Sequence, residues 1–324
     1  MMYIKRKLAI LSTAAFWFIS CNAGAQDQFP SRPIKLVVPN VPGGGSDVIA
    51  RAVAQRLAPL LGQAVVVENR SGGAENIGID FVAKSAGDGY TLLYASNSLT
   101  IKPSLYKGLP YNVENDLQPL GNVITDRMYI VAGMNAPFKT LAELQKYAKE
   151  HPGKLAYGTP GTGTPHHLAM ELYKSTAGLD IVHVPYRGTG PGVTDLIGGS
   201  IPLLISTSSP VVGYVKTGKV RPIAIFDDKR SSSYRDVPAI SETSPGVKVV
   251  IWQGFFVPKG VPTADSAKLT EALKAVANDA GFIKQMNELN ITATWTPPDT
   301  VRSMVKAEIA QWARVVKEAG IQAE

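Results

Sequence analysis

Two glycine-rich segments of the sequence carry residue types that could hold a small anion. They are residues 39–47 (PNVPGGGSD) and 157–165 (YGTPGTGTP), and each follows an apolar run typical of a strand and precedes a helical pattern. At such a junction the unpaired N–H groups and the dipole of the helix face the ligand, and glycine lets the backbone approach it. Neither segment contains Lys or Arg. This favours a carboxylate held by amide and hydroxyl donors over a polyphosphate.

Other chemistries that use glycine-rich loops match these segments poorly. A P-loop requires Lys followed by Ser or Thr after its last glycine, and neither segment has this pair. In the second segment, Gly161-x-Gly163 is followed by His166 where a dinucleotide fingerprint requires a third glycine. One such loop alone is more often a tight turn between a strand and a helix. Two loops at equivalent places in two units favour binding.

Support for a metal site or for catalysis is weaker. His166 and His167 are sequence neighbours, whose side chains point about 100° apart on a helix, and no His-Glu-x-x-His spacing is present. Residues 44–48 lack the last glycine of a nucleophile elbow. We therefore expect no metal and no cofactor. An exported hydrolase or lyase that uses His167 and Asp195 is the alternative to a binding protein, and a structural envelope protein that binds no ligand is a third class.

The N-terminus has the pattern of an export signal. A basic segment at residues 5–7 precedes an apolar stretch, and the small residues at 23–25 (AGA) suit cleavage after Ala25. A short membrane anchor is one alternative. A lipoprotein modified at Cys21 is another, although Phe18 stands where such signals usually have Leu. We expect an exported protein.

Removal of the predicted signal changes the charge and the cysteine content. Residues 1–25 contain the only cysteine and hold three basic and no acidic residues, so their loss lowers the formal charge from +7 to +4. The mature chain then has no disulfide and depends on ordinary apolar cores. Its basic residues are scattered, so nucleic-acid binding has little support.

The hydrophobic pattern predicts two α/β units. The first unit has strands predicted at 34–39, 65–68 and 91–95. Helical patterns separate them, and this order is typical of a mostly parallel sheet with helices on both faces. The pattern restarts after a polar crossing near 125–127, and helices over 264–289 and 300–319 close the chain. The predicted divisions are a signal peptide at 1–25, a first lobe of 26–125 plus 250–324, and an inserted second lobe of 126–249.

Short sequence blocks along most of the chain are also familiar. The blocks are 29–34 (FPSRPI), 37–47 (VVPNVPGGGSD), 67–73 (VENRSGG), 76–78 (NIG), 88–93 (DGYTLL), 157–164 (YGTPGTGT), 184–188 (VPYRG) and 195–196 (DL). Together, and in this order, they resemble the receptors of tripartite tricarboxylate transporters, also called Bug receptors. The remaining quarter of the chain fits that family in length and pattern.

The resemblance implies a two-lobed periplasmic binding protein, a type II-like clamshell in which each lobe is a mostly parallel sheet flanked by helices. It implies a receptor, not an enzyme, that delivers a small carboxylate to a membrane transporter of one large and one small integral subunit. We expect a monomer whose partners are an organic acid and those integral-membrane subunits, with no nucleic acid.

The resemblance also maps binding residues onto this chain. Its two binding loops correspond to 40–47 and 159–164, and it favours a cleft position for Asp195, which from the sequence alone either faces the ligand or caps a helix. The predicted ligand-binding residues are Asn40, Pro42, Gly43, Gly44, Ser46, Asp47, Ser96, Thr159, Gly161, Thr162, Gly163, Thr164, His167 and Asp195. Asn40 stands where the family usually has an aromatic residue, and this predicts a hydroxylated or otherwise polar acid as the ligand.

Overall fold

The structure of the protein, a computed structural model, describes residues 29–43, 45–231 and 233–321. The predicted signal peptide, its cleavage after Ala25 and the alternative modification of Cys21 lie outside these ranges, as does Gly44 of the first loop. No helix within the described ranges combines the length and the apolar character that crossing a membrane requires.

The described chain alternates strands and helices. The strands are β1 (Ile34–Val38), β2 (Val65–Asn69), β3 (Thr91–Ser96), β4 (Leu117–Asp126), β5 (Met128–Gly133), β6 (Ala156–Thr159), β7 (Val182–Pro185), β8 (Leu203–Thr207), β9 (Val220–Ile225), β10 (Ile251–Pro258) and β11 (Thr292–Thr296). The α-helices are α1 (Gly45–Leu61), α2 (Asn76–Ala83), α3 (Ser98–Leu105), α4 (Val113–Asp116), α5 (Leu141–Glu150), α6 (Pro165–Ala177), α7 (Thr189–Gly198), α8 (Val212–Lys216), α9 (Thr263–Ala277), α10 (Ala280–Glu288) and α11 (Pro298–Glu318).

Local sequence explains the strand–loop–helix unit that carries the first loop. Most of β1 is buried, as expected of a strand covered on both faces. Helix α1 places Ile49, Val53 and Leu57 on one face, all nearly inaccessible to solvent. Burial of each such side chain contributes about 1.5–3 kcal/mol. Gly62, at a φ of 68°, ends the helix in the left-handed conformation that glycine adopts most readily.

The first sheet has six strands in the order β11-β4-β10-β3-β1-β2. Strand β1 is parallel to both β2 and β3, whereas β10 is antiparallel to β3 and to β4, and β11 is antiparallel to β4. The second sheet has five strands in the order β7-β6-β8-β5-β9. Strand β6 is parallel to β7 and β8, and β5 is antiparallel to β8 and β9. Both sheets are therefore mixed, with their parallel strands grouped together, and the prediction of mostly parallel sheets is wrong because β10 and β11 in the first sheet and β5 in the second pair antiparallel.

The two glycine-rich loops occupy equivalent places in these sheets. The first follows β1, which lies between two parallel neighbours, and the second follows β6, which also lies between two parallel neighbours. In open α/β sheets, ligands bind beyond the carboxyl ends of parallel strands. Topology therefore puts each loop at the edge of its sheet where a ligand is expected.

The chain passes between the two sheets where β4 meets β5 and again between β9 and β10. Helix α11 contacts both units, since its first half packs with Val301 and Val305 on the first and its second half packs Trp312, Val315 and Val316 into the core of the second. Residues 312–316 belong to the first lobe in the division derived from the sequence. The bounds of that division stay a prediction.

One helical segment differs from its prediction. A single helix was expected over 264–289, but the structure has two helices, α9 and α10. Asp279 accounts for the break, because its side chain accepts a hydrogen bond from the N–H of Phe282 at 2.7 Å and caps the second helix. The prediction of one continuous helix there is wrong.

Candidate ligand-binding site

The first loop is held in place by the carboxylate of Asp47, in the first turn of α1. Asp47 is 3 % exposed and accepts hydrogen bonds from the N–H of Gly43 and from Nδ2 of Asn69, both at 2.9 Å. It also pairs with Arg51 at 3.0 Å. The hydrogen bond from Arg51, together with those from Gly43 and Asn69, lowers the pKa of Asp47 to about 2. The carboxylate is therefore charged and already bonded to the loop, which makes it a positioning group.

The outer surface of the first loop is the part that is available to a ligand. Pro42 and Gly43 are exposed, and Ser46 is half-buried at the start of α1. Within the described ranges, the hydroxyl of Ser46 takes part in no hydrogen bond. The N-terminal amides of α1 also lack intrahelical partners, as at any helix N-terminus. Ser46 and these amides are the donors of the first loop that face outward.

The second loop is held by hydroxyl groups. Thr159 is fully buried, and its Oγ1 lies 2.7 Å from Nε2 of His183 while it accepts the N–H of Gly161 at 3.2 Å. Thr164 caps α6 by accepting from the N–H of His167 at 3.3 Å, and it donates to the carbonyl of Gly161 at 2.8 Å. Both threonines thus orient the loop from inside.

Two stacked histidines complete the second loop. The Nδ1 of His167 accepts the N–H of Gly163 at 3.1 Å, and the ring of His167 stacks on that of His183 with centroids 3.8 Å apart. Burial lowers the pKa of each imidazole to about 4, with a smaller contribution from Lys174 for His167 and from His167 for His183. Both rings are therefore neutral at pH 7, and His167 can act as the acceptor that Gly163 requires.

The exposed donors of the second loop lie at its tip. Thr162 is exposed, and its hydroxyl makes no hydrogen bond to any described residue. Gly163, at a φ of 71°, lies so close to α3 of the first unit that a Cβ there would overlap the side chain of Leu105. The tip of the second loop therefore touches α3 of the first unit.

The remaining predicted site residues lie around these loops. Asn40 donates from Nδ2 to Oε1 of Glu75 at 2.8 Å, and Ser96 donates to the hydroxyl of Ser98 at 2.9 Å. Asp195 accepts from the hydroxyl of Tyr186 at 2.7 Å. Burial and this hydrogen bond raise the pKa of Tyr186 to about 12, so the phenol keeps its proton.

The helix that contains Asp195, α7, begins well before this residue. It starts at Thr189, and its N-cap is Gly188. Asp195 therefore lies in the second turn, which rules out the helix-cap interpretation. Its contact with a ligand stays a prediction.

Sequence reasoning missed the residues that support the loops from a distance. Arg51 and Asn69 support the first loop through Asp47, and His183 supports the second through Thr159. Asn69 lies at the end of β2 and His183 within β7, the strands beside β1 and β6. A polar residue in the neighbouring parallel strand is the signal that could have identified them.

The alternative chemistries have little structural support in the described ranges. No group of three or more His, Cys, Asp or Glu side chains is arranged there to hold a metal ion. Both ring nitrogens of His166 are buried without a described partner, and burial lowers its pKa to about 4. His167 and Asp195, the pair that an enzyme would use, are bonded to Gly163 and Tyr186 instead of to each other.

Two α/β units that the chain connects twice, each with a glycine-rich loop at the carboxyl end of a strand between two parallel neighbours, define a two-lobed binding protein of the periplasmic type. The comparison with family models specifies the class further. The model described as tripartite tricarboxylate transporter family receptor matches residues 49–321, and the chain belongs to this family. The family and the two-lobed α/β fold predicted from the sequence are both confirmed.

Individual relatives agree with this assignment. The protein BugT of Bordetella pertussis is 35 % identical over 297 residues, which are 91 % of each chain. The solved structure of the periplasmic binding protein BugD has a TM-score of 0.79 and 32 % identity, covering 91 % of this chain and 100 % of BugD. A Rhodopseudomonas palustris protein solved with adipate has a TM-score of 0.81 and 31 % identity, covering 91 % of this chain and 99 % of that one.

Proposed function

We propose that this protein is a periplasmic receptor that captures a small carboxylate between its two lobes and delivers it to a membrane transporter of the tripartite tricarboxylate type. The observation that carries the proposal is the pair of loops after β1 and β6. Each ends at a helix N-terminus and presents uncharged donors, Ser46 in one and Thr162 in the other. Such donors suit one carboxylate group.

The electrostatics of the loops support an anion of modest charge. Asp47 is neutralised by Arg51, and His167 and His183 are uncharged at pH 7, so neither loop presents a net charge. The ligand then meets amide dipoles, hydroxyls and two helix N-termini. The relative solved with adipate supports the same class of ligand.

The proposed cycle needs binding and release but no bond cleavage. Closure of the lobes brings the two loops onto the carboxylate and displaces water, and opening releases the ligand to the integral-membrane subunits. We propose that the receptor acts as a monomer, without enzymatic activity and without a nucleic-acid partner. Its family membership, and the name of BugD as a periplasmic protein, support the periplasm as its location.

Calorimetry on the mature protein tests the proposal. Small carboxylic acids are titrated beside the alcohols of the same carbon skeleton, and each mixture is analysed for product. We expect saturable binding of at least one acid at roughly micromolar Kd, no binding of its alcohol, and the acid unchanged after incubation. Turnover of an acid or ester, or the absence of binding by every acid, would contradict the proposed function.

A further inference from the structure

A polar cluster centred on Glu75 lies beside the first loop. We call Asn40, Glu75, Ser98 and Lys102 the Glu75 cluster. Oε1 of Glu75 accepts from Asn40 at 2.8 Å, and Oε2 accepts from the hydroxyl of Ser98 and lies 3.2 Å from Nζ of Lys102. The carboxylate of Glu75 is thus the acceptor or ion-pair partner of three other side chains.

The cluster lies at the edge of the first sheet where a ligand is expected. Asn40 follows β1, Glu75 lies in the loop after β2, and Ser98 follows β3. These strands are parallel neighbours in the order β3-β1-β2, so their carboxyl ends meet at one edge of the sheet. Ser98 begins α3, and the same helix ends at Leu105, which the second loop touches at Gly163. The cluster therefore lies at the carboxyl ends of three parallel strands, and α3 leads from it to the second loop.

Within the cluster, the carboxylate lies outside and the ammonium inside. The side chain of Glu75 is 20 % exposed, whereas that of Lys102 is 9 % exposed. Lys102 also donates to the carbonyl of Ala74. A ligand that reaches the cluster consequently meets oxygen atoms of Glu75 before it meets the ammonium.

The backbone around Glu75 indicates that this arrangement is imposed. Ala74 and Glu75 have φ values of 49° and 76°, a region that residues with a Cβ rarely adopt. Such strain persists only where the surroundings determine it, and it is concentrated at functional sites. Here the hydrogen bonds from Asn40, Ser98 and Lys102 determine it.

On the basis of the proposed carboxylate receptor, we infer that Glu75, beside the first loop, determines ligand specificity. Its carboxylate occupies the place and the donors that a second carboxylate of the ligand would use. A dicarboxylate would put two like charges together in a poorly solvated cleft, which is unfavourable. The ligand is a monocarboxylate whose other end carries a hydrogen-bond donor such as an amide, a hydroxyl or an ammonium group.

Matched acids and two variants test this inference. Succinate, glutarate and adipate are compared by calorimetry with their monoamides, each of which replaces one carboxylate by a neutral amide of nearly the same shape. We expect wild-type protein to bind the best monoamide more tightly than its diacid by at least roughly tenfold. In Glu75→Gly, which frees Lys102 and removes the left-handed strain on a side chain, the diacid becomes the tighter ligand.

Glu75→Gln and a control variant keep the test decisive. Glutamine retains the shape of Glu75 and an acceptor oxygen, so Glu75→Gln is expected to fold and to reduce the preference to within about threefold. Glu114→Gln removes the same charge from an exposed position of α4, and we expect the wild-type preference to persist. Equal or tighter binding of diacids by the wild type, or an unchanged preference in both Glu75 variants, would overturn the role of Glu75. If no acid binds to the wild type or to any variant, the proposed function itself falls, and the inference falls with it.

Discussion

The two glycine-rich loops perform the same structural task with different chemistry. The first is held by an ionised carboxylate, since Asp47 binds the N–H of Gly43 and is balanced by Arg51. The second is held by neutral groups, since Thr159 binds the N–H of Gly161 and His167 binds that of Gly163. In both loops, glycine amides that the sequence suggested as ligand donors are already bonded inside the loop. The residues that hold each loop in place are therefore a different set from the outward-facing donors that are available to a ligand.

The largest effect should come from removing the charged support of the first loop. Asp47→Ala leaves the N–H of Gly43 and the amide of Asn69 without their acceptor, and the loss of these two hydrogen bonds, one of them at the exposed Gly43, costs about 1–3 kcal/mol together. We expect ligand affinity to fall by roughly a hundredfold, with reduced stability, because the loop no longer keeps its bound conformation. Calorimetry and urea unfolding measure the two effects. Asp47→Asn, which keeps one acceptor oxygen, should lose less of both, and an equal loss would contradict the argument from the hydrogen bonds.

A smaller effect is expected for the neutral support of the second loop. Thr159→Val keeps the shape of the side chain but removes the hydroxyl shared by His183 and Gly161. We expect stability to fall by about 1–2 kcal/mol and affinity by roughly tenfold. Thr176→Val is the matched control, because the hydroxyl of Thr176 is exposed on α6 and bonds only within that helix. If Thr159→Val left the ligand affinity unchanged, Thr159 would not be needed to hold the second loop in its binding conformation.

The groups that support the two loops should contribute differently to folding stability as the pH falls. The pKa values of His167 and His183 lie at about 4, below the ordinary value of 6.5. Between these values, the unfolded chain binds protons that the folded chain does not, so these histidines make the protein less stable as the pH falls from about 6.5 towards 4. Asp47, whose pKa is about 2, loses its stabilising contribution only below about pH 4.

The histidine contribution must be isolated from opposing groups. Burial raises the pKa of Asp126 and of Glu308 to about 7, so both favour the folded state as the pH falls through the same range. We therefore compare wild type with His183→Gln by urea unfolding at pH 7.5 and pH 5. The stability advantage of the wild type should shrink by about 1–2 kcal/mol at the lower pH. A constant advantage would show that His183 does not titrate as described, and His151→Gln, at an exposed position, serves as the control.

Removal of the outward-facing hydroxyls should have the smallest effect on stability. Its effect on binding should be larger. Ser46→Ala and Thr162→Val remove groups that bond to no described residue, so the midpoint of thermal unfolding should stay the same. Affinity should fall by roughly tenfold in each, the effect of one donor lost from a charged acceptor. If either variant changed the midpoint of thermal unfolding but not the affinity, its hydroxyl would support the loop and would not be a donor to the ligand.

The sequence predicted much of the fold because the apolar periodicity is regular and glycines end its elements. Strand β4 was not predicted, because Pro119 and Gly121 interrupt its pattern. In the sheet, both positions pair with β10 next to a shift in register, where an irregular ladder tolerates them. Strand β11 also pairs irregularly with β4.

The glycine-rich loops of the candidate site could be predicted, but their internal bonding could not. Asp47 and Thr159 were predicted as ligand contacts, and the structure shows their polar atoms bonded to partners 22 and 24 residues away along the chain. Such partners depend on which strands become neighbours. The inferred role of Glu75 in ligand specificity was missed because it depends on a left-handed backbone conformation. No motif in the sequence predicts that conformation.

The most direct test of the two-loop site is nuclear magnetic resonance of the isotope-labelled protein during titration with a carboxylate that calorimetry shows to bind. We expect the backbone amide signals of Ser46 and Thr162 to shift together, with one common Kd equal to the calorimetric value. These residues lie in different lobes, so a common Kd indicates that a single binding event affects both loops. Shifts confined to one loop, or to neither, would contradict the account.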